Sequence, residues 1–142
     1  MNKDTELLNF IHQNAEMGKN TMSQLIAITD DPSFQEKLSQ QLEDYNRVCM
    51  ASNVLLQSAG HETKGLSPLT KFSTYLSVNM NTMSDKSPSH ISEMLIQGST
   101  MGIIDITKKL KEYKDADKGI LSLGQALLEQ EEANIERLKK TL

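Results

Sequence analysis

Apolar residues recur every three or four positions along most of this chain, the spacing that places them on one face of an α-helix. The stripe of the first segment consists of Leu8, Ile11, Ala15, Gly18, Met22 and Leu25. Similar stripes mark three more long segments, and a shorter one precedes the third of the four. The pattern and its interruptions predict helices over about 4–28, 32–59, 69–83, 88–113 and 116–141.

Two of the connections between these helices are short. Asp31 is a residue suited to capping a helix, and Pro32 fits the first helical position. Residues 114–117 form the second short turn, so each turn joins its helices into an antiparallel hairpin. The connector from Gly60 to Ser87 is long enough to cross a bundle. The predicted fold is an all-α, antiparallel four-helix bundle of two hairpins with a long, partly helical crossover, the connectivity of ferritin-like folds.

Composition and charge favour one helical domain spanning residues 1–142. The chain has no Trp, seven glycines and three prolines, too few for a fold built on many tight turns. With a net charge of -4 it lacks a basic stripe, so no nucleic-acid partner is expected. No apolar run reaches the roughly 20 residues of a membrane span. Without a signal-peptide pattern, and with Cys49 as its single cysteine, the sequence predicts a cytoplasmic protein.

One acidic residue falls on an apolar stripe. At about 100° per residue, Glu131 lies within the stripe of the last helix, and Asn134 lies beside it. Glu43 and Glu16 point away from the stripes of their own helices. The apolar faces therefore do not present a matched set of metal ligands.

Two short patterns recur between the halves of the chain and favour related hairpins. Residues 13–18 and 97–102 share Gln-x-x-x-Met-Gly, and Glu-x-x-Asn recurs in the second and fourth long helices. If the hairpins pack accordingly, Asn14, Tyr45 and Glu131 fall in one polar core layer. We predict that the Tyr45 hydroxyl donates to Glu131, because a buried acid without a partner is costly.

The segment from Ile91 to Ile106 is apolar nearly all round, whereas a bundle helix normally keeps a polar outer face. In one interpretation the connector helix covers it with Phe72, Leu76, Val78 and Met80. In the other, the segment forms an interface with another subunit. The two interpretations are compatible. The interface candidates are Ile96, Gly98, Gly102, Ile103 and Ile104.

Residues 86–91, KSPSHI, followed by 97–102, QGSTMG, resemble uncharacterised bacterial proteins with a ferritin-like helical bundle. The resemblance covers nearly the whole chain and implies that fold in a bacterial cytosolic setting. The ferritin-like superfamily would add iron or oxygen chemistry, with metals held by Glu and Glu-x-x-His ligands. In this chain Asn46 and Asn134 stand where that motif has histidines.

The sequence favours a non-catalytic bundle that acts through self-association or binding of a protein partner, with no cofactor. No nucleophile–base pair indicates an enzyme. The alternative is a degenerate metal-binding or iron-oxidising protein. Its candidate ligands for iron or another divalent metal are Glu131, Asn134, Glu43 and Glu16.

Overall fold

The computed structural model describes residues 2–60 and 71–142, except for the side chains of residues 71–74 and 78. These parts of the chain are helical and contain no strand, which confirms the all-α class. The helices are α1 (Lys3–Ile28), α2 (Pro32–Ser58), α3 (Lys71–Asn81), α4 (Pro88–Glu112) and α5 (Lys118–Lys139). The predicted start of the third helix at residue 69 lies outside the described residues.

Capping side chains set where four of the helices begin. Asn2, Asp31, Ser87 and Asp117 each accept a hydrogen bond from a backbone N–H in the first turn. The predicted pairing of an Asp31 cap with Pro32 in the first turn is confirmed. The prediction that the last helix begins at about residue 116 was two positions early, because the cap is Asp117.

Contacts at two glycines define the packing within each hairpin. Gly18 of α1 lies against the ring of Tyr45 on α2. These two helices run antiparallel, since His12 bonds to Ser52 and Gln35 bonds to the carbonyl of Ile26. Gly124 of α5 lies against the side chain of Leu110 on α4. These helices also run antiparallel, since Ser99 of α4 interacts with Glu131 of α5. In both pairs the missing side chain leaves room for a large residue of the neighbouring helix.

Hydrogen bonds near the helix ends fix how α5 lies against α1 and α2. The Asp117 backbone N–H donates to Asp4 at 2.8 Å, so α1 and α5 start at the same end. Lys37 donates to Thr141 at 3.4 Å, which places the start of α2 beside the end of α5. Accordingly, α5 runs parallel to α1 and antiparallel to α2.

The interior combines an aliphatic core with several buried polar side chains. The large apolar side chains with the least exposure are Leu7, Ile11, Leu25, Leu38, Leu56, Ile91, Ile106, Leu127 and Leu138. Outside this core, α3 packs on α4, where the Tyr75 hydroxyl donates to Gln97 at 2.6 Å, and Leu76 of α3 is buried. The connector helix therefore covers part of α4, as the first interpretation expects. The predicted contributions of Phe72 and Val78 lie outside the described side chains.

Replacing Gly18 with Ala tests the close approach of α1 and α2. The added methyl group would lie 2.5 Å from Cε1 of the Tyr45 ring. Overpacking of this kind costs about 1–3 kcal/mol, more than the roughly 1 kcal/mol that Ala gains over Gly in helix propensity. We expect a lower free energy of unfolding in urea. The exposed Ser23→Ala on the same helix is the control, and a Gly18→Ala protein as stable as that control would contradict the prediction.

Candidate functional site

The centre of the candidate site is the carboxyl group of Glu131 on α5. The buried residues of α5 include Gly124, Leu127 and Leu138, and the same three-to-four-residue spacing turns Glu131 inward, leaving it 1% exposed. From α2, the buried Tyr45 donates its hydroxyl hydrogen to Oε1 of Glu131. The predicted Tyr45–Glu131 hydrogen bond is confirmed.

Further polar residues link this pair to the protein surface. Asn134 is fully buried and accepts a hydrogen bond from Arg137 at 2.7 Å. Arg137 in turn lies 3.7 Å from the Asp44 carboxylate on α2. From α4, Ser99 interacts with both Tyr45 and Glu131. The result is a polar layer that ties α5 to α2 and α4.

Burial controls the protonation of the central pair. Desolvation raises the pKa of Glu131 to about 7, while hydrogen bonds from Tyr45 and Ser99 act in the opposite direction. Burial also raises the pKa of Tyr45 well above its ordinary value, with the Glu131 charge as the next cause. Tyr45 therefore remains a hydrogen-bond donor, and both forms of Glu131 are populated near neutral pH.

Two buried polar atoms of this layer, and one of the predicted layer member Asn14, are incompletely satisfied. Within the described residues, Oε2 of Glu131, Nδ2 of Asn134 and Oδ1 of Asn14 have no hydrogen bond of standard geometry. Leaving such groups unpaired in a protein interior is costly. Protonating Glu131 lowers that cost because it removes the buried charge. No described contact joins Asn14 to Tyr45 or Glu131, so its place in the layer remains a prediction.

The candidate metal ligands do not come together. Glu131 and Asn134 are side by side in the core, whereas Glu43 is exposed on α2, as predicted. Glu16 is half-buried and lies 3.5 Å from His12. Among the described residues, no group of three or more His, Cys, Asp or Glu could hold a metal ion.

His12 takes part in a buried network that the helical pattern did not reveal. Its Nδ1 lies 2.8 Å from the hydroxyl of Ser52, and its Nε2 faces Glu16. A serine, a histidine and an acid in a row resemble the order of a hydrolase triad. Ser52 is, however, 0% exposed and bonded to the carbonyl of Val48 at 2.8 Å. This network therefore joins α1 to α2 instead of presenting a nucleophile.

A polar cleft of about 330 Å³ lies beside this network, and Cys49 forms part of its wall. Burial raises the pKa of the Cys49 thiol to about 11, and the nearby Lys19 opposes this only in part. A thiol with such a high pKa stays protonated and is a poor nucleophile. Cys49 therefore acts as a small apolar residue in the packing of α2.

An apolar groove of about 610 Å³ separates the outer surfaces of α2 and α5. On α2, Met50 and Val54 are each 61% exposed, and Leu55 is 39% exposed. On α5 the groove is lined by Leu123 and by three small residues, Gly119, Ser122 and Ala126. Sequence periodicity did not single out this surface, because the residues lie at outward positions on both helices.

The five interface candidates on α4 have different environments. Gly98 and Gly102 are buried, and Ile96 is partly buried against the core. Ile103 is also partly buried, whereas Ile104 is 50% exposed. Of the five, Ile104 alone offers a large, well-exposed apolar side chain to another molecule.

No protein-family model, curated protein or solved structure matches the chain. Nor does any helix in the described ranges have the length and apolar character needed to cross a membrane. A functional hypothesis for this protein must therefore be built from its own surfaces and buried groups.

The Tyr45→Phe substitution measures how much the core carboxyl depends on its donor. Removing the hydroxyl leaves Glu131 without that partner, so we expect the free energy of unfolding to fall by about 1–3 kcal/mol. Tyr113→Phe is the matched control, because Tyr113 donates to Glu6 at 2.7 Å at the surface. The free energy of unfolding of Tyr113→Phe should fall by no more than about 0.5 kcal/mol. Equal losses in both variants would show that burial adds nothing to the Tyr45–Glu131 bond.

Stability should depend on pH because the carboxyl of Glu131 titrates differently in the folded and unfolded chains. Its pKa rises from 4.5 to about 7 on folding, so between these values the folded protein binds the extra proton. The stabilisation that this protonated carboxyl contributes is complete below pH 4.5 and is lost as the pH rises to about 7. Between these two pH values the free energy of unfolding should fall by about 1.4 kcal/mol per pH unit. Urea unfolding of Glu131→Gln should lack this component, and an unchanged slope would contradict the assignment.

Proposed function

We propose that the chain is a ferritin-like helical bundle, made of the α1–α2 and α4–α5 hairpins. The directions of the helices support this connectivity. Since α5 runs antiparallel to both α2 and α4, those two helices point the same way. The connection from Ser58 to Pro88 must then pass from one end of the bundle to the other, as in ferritin-like folds.

The role we propose for this bundle is non-catalytic: it acts by association, in the first place with further copies of itself. The observation that carries this proposal is the groove between α2 and α5, flanked by the exposed Met50, Val54 and Leu55. Contiguous exposed apolar surface of this kind is typical of protein interaction sites. The setting that we propose is the bacterial cytoplasm.

The buried polar layer supports a structural role better than a catalytic one. Glu131 is 1% exposed, and Tyr45 is 3% exposed. A substrate would have to separate packed helices to reach the carboxyl. The layer links α5 to α2 and α4 at a fixed height, because a shift of either helix would leave the acid without its donor. A polar core group that specifies helix register is a recognised use of such residues.

A degenerate metal-binding protein is the second candidate function. The observation that favours it is the unpaired Oε2 of Glu131, which is buried and could face a cation. Asn134 lies beside it, but its Oδ1 is already bonded to Arg137. A single carboxylate oxygen is a weak basis for a site, since iron and other divalent metals usually take several oxygen or nitrogen ligands.

Sedimentation velocity of the purified protein over a wide concentration range tests the association role. We expect the mass to rise with concentration, because burial of the exposed apolar side chains favours association. The triple variant Met50→Ser, Val54→Ser, Leu55→Ser should sediment as a monomer.

The same preparation, purified without chelator, separates the two candidates. Stoichiometric metal that is lost in Glu131→Ala, together with a wild-type protein that stays monomeric, would favour metal binding and contradict self-association. Circular dichroism of each variant checks that the helices are retained.

A further inference from the structure

Exposed apolar residues cluster on one face of the described chain. Five large hydrophobic side chains are exposed among the described residues, and three of them, Met50, Val54 and Leu55, lie within two turns of α2. They border the groove that Leu123 and Ala126 line from α5. We call this surface the α2–α5 face.

The two helices of this face have complementary outlines. On α2 the exposed Met50 and Val54 form a ridge, whereas α5 presents small residues. Gly119 and Ala126 are both exposed and lie seven positions apart, and Ala133 extends the row by a further seven. A ridge of large side chains packs well into a row of small ones. A two-fold axis parallel to the helices would place α2 of one molecule against α5 of another. The ridge of each molecule would then pack against the row of small residues of the other.

Charges beside the apolar part of the face are also complementary. Asp44 lies 3.7 Å from Arg137, and Tyr45 bonds to Glu131, which fixes the heights of α2 and α5 relative to each other. By that register Arg47 lies at nearly the same height as Glu129. Under the two-fold axis, Arg47 of one copy faces Glu129 of the other, twice in each pair of molecules. The Arg47 side chain is 68% exposed, and its ion pair with Asp44 orients it.

The face is large enough for a weak to moderate dimer. From Gly119 to Arg137, α5 spans 19 residues, or about 27 Å at 1.5 Å per residue. Two helices side by side, each about 10 Å wide, give a projected area of about 500 Å². This projected area is below the roughly 800 Å² per partner of a standard interface, as expected for a weak to moderate dimer.

We propose that a second copy of this chain occupies the α2–α5 face, with α2 of each molecule packed against α5 of the other. This inference rests on the proposed association role and specifies its partner and geometry. It also moves the interface away from α4, where α3 already covers part of the apolar surface and Ile104 is the exposed candidate.

The first arm of the test compares two matched substitutions by sedimentation equilibrium. Val54→Glu puts a charge on the face and should weaken dimerisation by about tenfold to a hundredfold, because a charge buried without a partner is costly. Ile104→Glu makes the same change on α4, at a side chain of similar exposure, and should leave the dimer unchanged. Both positions are exposed, so circular dichroism should show both variants folded.

The second arm exchanges the charges of the predicted pair. Arg47→Glu alone and Glu129→Arg alone should each weaken the dimer by about three- to tenfold, since like charges would then face each other twice. The double variant carrying both substitutions should recover the wild-type dissociation constant. Recovery is the signature of direct contact between the two positions across the interface.

The outcomes separate the inference from the proposed function. A dimer weakened by Ile104→Glu but not by Val54→Glu would overturn the α2–α5 interface and leave self-association standing. A dimer weakened by Val54→Glu, without recovery in the double charge exchange, would overturn the two-fold arrangement. A protein that stays monomeric at every concentration would overturn the inference and the proposed self-association together.

Discussion

The hydrogen bond from Tyr45 to Glu131 is the constraint to which the rest of the structure is adjusted. A carboxyl group in an aliphatic core has to keep a donor at a fixed position. Tyr45 can act as this donor only because Gly18, which has no side chain, leaves room for its ring between α1 and α2. Asn134 and Ser99 complete the surroundings from α5 and α4. One buried acid thus involves all four long helices in a single layer.

The same layer fixes the outside of the molecule. Because Glu131 is tied to Tyr45, the outward residues of α5 stand at defined heights beside those of α2. Exposed Met50 and Val54 therefore border small residues of α5 and form a groove instead of two separate apolar spots. The buried layer holds the helices at fixed heights, whereas the exposed groove is the proposed contact surface.

Much of the fold and part of the site were predictable from local pattern. Asp31 and Pro32 mark a helix start in any context, because capping depends on neighbouring backbone groups. Glu131 could be placed in the core from its stripe, and Tyr45 could be named as its partner because the repeat between the hairpins puts the two residues in one layer. The orientation of Glu43 toward solvent followed from the same geometry. The bond between His12 and Ser52 was not predicted, because neither residue belongs to the patterns that recur between the two hairpins.

The sequence by itself determined which residues each helix turns inward and where most helices begin, because the helical period and the caps are local properties. Only the tertiary structure decided which helix faces which, and at what height. In the observed packing α3 covers part of α4, and Gly98 and Gly102 are buried. Met50 and Val54 remain exposed beside α5. The physical reason is that packing depends on the fit between whole helix surfaces, which no single stripe contains.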